Sequence, residues 1–202
     1  MTVISFVRVC ITILFFIAFL SSCNQHPEYI TIGNERHRTD ITVLELICGS
    51  ITNEDIRQLQ YMTRLETLAI YPAPQVYDLS PLSGLTTLTH IMVRAANVSD
   101  VSPLAGLSNL IFLHLSLNQI VCIAPLSYIT SLESLNMAGN QISNIEPLST
   151  LINLHTLSLG QNNISDLTPL SNLDNLSSLA LGNNNITDWS PVSHIYNVFG
   201  RP

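Results

Sequence analysis

The chain has 202 residues, with seven arginines and 14 acids, a formal net charge of −7, and 47% of its residues hydrophobic. That length suits one domain with a sound core. There is no lysine, and from Ala95 to Gly200 histidine is the only base, so the clustered cations that a phosphate backbone demands are missing and nucleic acid is argued against as a partner.

Arg8 precedes an apolar run of 12 residues, Val9 to Leu20. A membrane-spanning helix needs about 20 apolar residues, so residues 1–22 read as a signal peptide. An ordinary cleaved leader and an uncleaved anchor are the alternatives to what the next residues suggest. The run ends Leu20-Ser21-Ser22-Cys23, which resembles a bacterial lipobox. The resemblance implies that Cys23 is acylated, becomes the mature N-terminus and tethers the chain to a membrane.

Residues 23–40 are polar and without periodicity, and read as a tether between that lipid and the fold. Residues 41–64 form a degenerate first unit. Leu44 and Leu46 mark its strand, Thr52 is placed to N-cap a short helix with Asp55 at the capping-box position, and Ile56 and Leu59 share one face.

From residue 65 to 197 one pattern recurs. Asn118, Asn140, Asn162 and Asn184 stand 22 residues apart in LIFLHLSLNQI, LESLNMAGNQI, LHTLSLGQNNI and LSSLALGNNNI. Each unit alternates, so Leu113 and Leu115 point inward while Phe112, His114 and Ser116 point outward. No unit can bury its leucines alone; stacked about 4.8 Å apart, the units share a core and a parallel sheet. The fold class is an α/β solenoid of leucine-rich repeats with about seven parallel strands on its concave side. The asparagines are placed to bond backbone groups that the bend after each strand leaves unpaired.

The return segments repeat as well, as in Ile145-Glu146-Pro147-Leu148 and Leu167-Thr168-Pro169-Leu170. Recurrent proline forbids long helices, so the convex side should carry short turns or 3₁₀ segments. Upstream the register decays, with Ala96 in place of the asparagine and an extra residue in Tyr71-Pro72-Ala73-Pro74-Gln75. At the other end, residues 198–202, a new unit should begin at Val198. Trp189, Ile195, Tyr196 and Phe199 suggest an aromatic plug, the alternative being a truncated array with an exposed edge.

Catalytic signatures are missing from the sequence: no phosphate loop, C-x-x-C, H-E-x-x-H or nucleophile elbow. His90 and His114 share the concave side, but no carboxylate is placed to complete a metal site with them. We therefore expect no enzyme activity, no metal and no cofactor. Cys48 and Cys122, three units apart, are too distant for a disulfide and read as core or convex-side thiols.

The outward positions grade along the array. Tyr71, His90, Met92, Arg94, Phe112 and His114 occupy the N-terminal units, whereas the C-terminal units offer Ser, Thr, Asn, Ala and Gly. Aromatics, Met and Arg are enriched in interface cores, which makes these six residues the candidate ligand-binding patch. Drift on an unused face is the competing explanation.

The unit L-x-x-L-x-L-x-x-N-x-I-x-x-L-x-P-L-x-x-L-x-x resembles the bacterial internalin-type leucine-rich repeat over roughly residues 41 to 199. Its Pro-Leu pair, as at Pro125-Leu126, favours that branch over the similar repeat of eukaryotic phosphatase-regulatory subunits. The resemblance implies a concave face that binds a protein ligand, often a host receptor. With the lipobox it implies a module anchored at a bacterial cell envelope, or secreted if Cys23 is not acylated. A regulatory protein docking on an enzyme such as a phosphatase, or a truncated array without a ligand, are the alternatives.

Overall fold

The computed structural model describes residues 26–47 and 49–201. Residues 1–22, read above as a signal peptide, together with Cys23, Cys48 and Pro202 lie outside the described residues.

Two sheets are formed. A hairpin pairs β1 (Tyr29–Ile32) with β2 (Glu35–Arg38) in antiparallel register. A parallel sheet of eight strands then runs in chain order: β3 (Val43–Leu46), β4 (Thr67–Ile70), β5 (His90–Val93), β6 (Phe112–His114), β7 (Ser134–Asn136), β8 (Thr156–Ser158), β9 (Ser178–Ala180) and β10 (Asn197–Phe199). Its register is set by one inward residue per strand. Leu44, Leu68, Ile91, Leu113, Leu135, Leu157, Leu179 and Val198 face one another in sequence. All but Val198 are buried. A slip of one residue would turn every strand's leucines to solvent, so burial enforces the register.

The convex side is built from 3₁₀ turns that carry the proline, such as Glu146–Thr150 and Thr168–Leu170. A single turn of α-helix, α1 (Asn53–Ile56), precedes them; the Thr52 hydroxyl accepts from Asp55 N–H while the Asp55 carboxylate accepts from Thr52 N–H.

The repeated asparagines lie inside this frame. Asn140 Nδ2 donates to Met137 O at 2.9 Å in its own unit and to Leu115 O at 3.0 Å in the preceding one, while its Oδ1 accepts from Ile120 N–H at 3.0 Å. Asn118, Asn162 and Asn184 repeat the arrangement on Val98, Ile142 and Ile164 N–H. The rung filled by Ala96 needs no such acceptor, because Val76 N–H already bonds Ala73 O at 2.9 Å. Just ahead of each rung the chain passes through left-handed backbone at Ala95, Leu117, Gly139, Gln161 and Asn183, with φ between 48° and 70°. The sequence conceals this second period because five residue types fill it.

Three expectations need correction. The parallel sheet has eight strands, not seven: β10 arrives three residues sooner than the 22-residue spacing places it, with Val198 opposite Leu179. The last return segment has one L-x-x step fewer, running Val192, Ile195, Val198. Residues 23–40 are not simply a tether, since from Tyr29 to Arg38 they form the hairpin. There Ile30 and Ile32 are buried over the first repeat, and Gly33 N–H donates to Asp55 at 2.8 Å. Two apolar residues among polar ones are too short an alternation to stand out in sequence. The aromatic plug is only partial. Trp189 and Ile195 pack on the core, but Tyr196 is 93% and Phe199 60% exposed; with Val198 turned toward the core, strand alternation turns Phe199 outward.

Candidate binding face

Register places the outward side chains of the first strands in three rows across the sheet. Val43, Thr67, His90 and Phe112 form one, Glu45, Ala69, Met92 and His114 the next. Tyr71 and Arg94 directly follow β4 and β5 and begin the third, with Ser116 beyond. Alternation holds Leu44, Leu68, Ile91 and Leu113 in the core and leaves these side chains for the concave surface.

Phe112 is the centre of the face. Its ring stacks on His90 with centroids 5.8 Å apart and meets His114 edge-on at 6.4 Å. His90 Nδ1 is 2.9 Å from Thr89 Oγ1, and His114 Nε2 is 2.8 Å from Ser116 Oγ, so hydrogen bonds within the fold fix both imidazoles. A depression of about 210 Å³ opens on the His90 side of Phe112, lined by Glu45, Thr67, Ala69, His90, Met92 and Phe112. His90, Met92 and Phe112 of the candidate patch thus meet in one concavity. Arg94 and His114 lie beyond its rim, and Tyr71 keeps to the Arg94 row. Sequence reading omitted Glu45 from the patch, because a carboxylate two strands from His90 shows no sequence signal of sharing a depression with it.

The electrostatics are asymmetric. Burial, and secondarily the Arg94 charge, holds the His114 imidazole below its ordinary value of 6.5. Arg94 forms no salt bridge among the described residues, and its Nε is buried without a hydrogen-bond partner. The outward positions of β7 to β9 (Ser134, Asn136, Thr156, Ser158, Ser178 and Ala180) offer neither charge nor aromatic surface. Among the described residues no group of three or more His, Cys, Asp or Glu could hold a metal ion. Cys122 is exposed rather than buried in the core.

The repeats match the family model described as leucine-rich repeats in two copies, at residues 108–150 and 152–194. An internalin (inlC2) from Listeria monocytogenes aligns at 32% identity with a TM-score of 0.62, covering 79% of this chain and 79% of that structure. The chain belongs to the internalin-type leucine-rich repeat proteins. Another internalin (inlF) from the same species superposes with a TM-score of 0.75 at 32% identity, covering 82% of this chain but 49% of its own. This chain thus spans about half the length of that relative's structure. Comparison with curated protein sequences returns no match.

Proposed function

We propose that this internalin-type chain is a non-enzymatic protein-binding module, held at a bacterial cell envelope by a lipid on Cys23, that takes a protein ligand on the N-terminal half of its concave sheet. The observation that carries the reading is the depression around Phe112. It is an apolar concavity lined by His90, Met92 and Phe112, with His114 and Arg94 beyond its rim, on a sheet whose outward residues from β7 to β9 carry neither charge nor aromatic surface. Such a cluster has the composition of an interface hot spot, with neutral surroundings to exclude water. The similar structures are internalins of a bacterium, which agrees with a bacterial home for this chain. The lipid reading rests on Leu20-Ser21-Ser22-Cys23 alone, and the envelope location rests on that lipid.

Affinity capture with the full-length chain tests the binding face. A partner retained by the wild type and lost by Arg94→Ser/Phe112→Ser supports it; the same partners on both move the function to another surface. Metabolic labelling with a fatty acid tests the anchor. The wild type should take up label and fractionate with membranes, while Cys23→Ala should do neither, and equal labelling of both would remove lipidation at Cys23.

A further inference from the structure

We propose that the concave site recognises a protein segment presenting an apolar side chain beside an aspartate or glutamate, the apolar group seated on Met92 and Phe112 and the carboxylate held by Arg94. The inference rests on the binding-face reading and adds the chemistry of the ligand.

Charge complementarity carries it. The depression has an apolar centre of Ala69, Met92 and Phe112. The row beyond it holds Arg94, whose Nε is enclosed and unpartnered. A buried donor left unpaired is unfavourable, and a guanidinium matches a carboxylate through two parallel hydrogen bonds. The chain supplies no such acid among its described residues. The carboxylates of Asp100, Asp166 and Asp188 are turned to the backbone N–H groups of Ser102, Thr168 and Ser190 on the return segments, at 2.8–2.9 Å. Glu45, the one acid on the outward positions, sits on β3 at the other end of the depression. It repels a ligand carboxylate there, so the segment is oriented with its acid toward Arg94.

The test selects a random peptide display library on the immobilised full-length chain and measures the affinity of individual selected peptides. Enriched peptides should carry Asp or Glu within a residue or two of Leu, Ile, Met or Phe. Arg94→Gln should weaken them at least about tenfold, as a charged hydrogen bond implies. Amidating the peptide's acid should do the same, and the two changes together should cost no more than either alone. Phe112→Ala should weaken binding too. Circular dichroism and urea midpoints establish that both variants fold. Peptides that depend on Phe112 but ignore Arg94→Gln would overturn the carboxylate chemistry and leave the binding face standing. Peptides indifferent to both substitutions, or no enrichment over an Arg94→Gln/Phe112→Ala control, would overturn both.

Discussion

Replacing Asn140 by alanine removes three hydrogen bonds, yet only one backbone group is left without a partner. Leu115 O keeps its bond from Asn118 at 3.1 Å, and Met137 O keeps its bond from Asn162 at 3.0 Å. The Ile120 N–H alone is orphaned. A buried unpaired group costs about 1–3 kcal/mol, so Asn140→Ala should destabilise by about 2–3 kcal/mol once the two weakened carbonyls are included. Asn118→Ala is worse. It orphans Val98 N–H, and it also strips Val93 O, which has no second asparagine because Ala96 fills the preceding rung. The expected loss is about 3–5 kcal/mol. Asn184→Ala orphans Ile164 N–H and strips Leu181 O, which no further asparagine serves, but Asn184 is less buried than the other three, so water replaces part of what is lost and it should cost less than Asn118→Ala. Urea unfolding followed by circular dichroism measures all three. If Asn140→Ala cost as much as or more than Asn118→Ala, the shared-carbonyl account of the ladder would be refuted.

Two further outcomes follow from the backbone and from protonation. Gly139 has φ +70°, and a Cβ there would come within 2.7 Å of Leu117 Cδ2, so Gly139→Ala should cost about 1–2 kcal/mol in urea unfolding. Gly106 has open space around it, and Gly106→Ala should stabilise by about 0.4–1 kcal/mol; equal effects at the two sites would contradict the left-handed row. The lowered pKa of His114 means that the unfolded chain takes up a proton before the folded one as pH falls. The stability this imidazole contributes is therefore present above pH 6.5 and declines below it, until the folded-state value is reached. His114→Ala should flatten the stability–pH curve in that window, and an unchanged slope would show that the imidazole is not held neutral.

The repeated frame was plain in the sequence because a 22-residue period writes one packing problem several times over. Leu113, Leu135, Leu157 and Leu179 each announce the same inward position, and recurrent prolines announce the short convex turns. What occurs once was harder to see. The hairpin strands bury only Ile30 and Ile32, and β10 depends on a return segment that skips one step of the repeat. The left-handed row has a period but no common residue, since its conformation is imposed by the neighbouring rungs. At the candidate face, alternation sufficed to place His90, Met92, Phe112 and His114 on the concave side. It could not show that Phe112 stacks on one imidazole and meets the other edge-on, or that Glu45 closes the depression. Those depend on side-chain torsions and strand stacking, which a linear pattern does not contain.

The most direct test of the central claim is site-specific photocrosslinking in living cells, with a crosslinking amino acid placed at Met92 in the depression or at Tyr128 on the convex turns, itself 73% exposed. The account predicts a discrete adduct with one protein from Met92 and none from Tyr128. An adduct from Tyr128 with nothing from Met92 would contradict it and place the working surface on the other side of the solenoid.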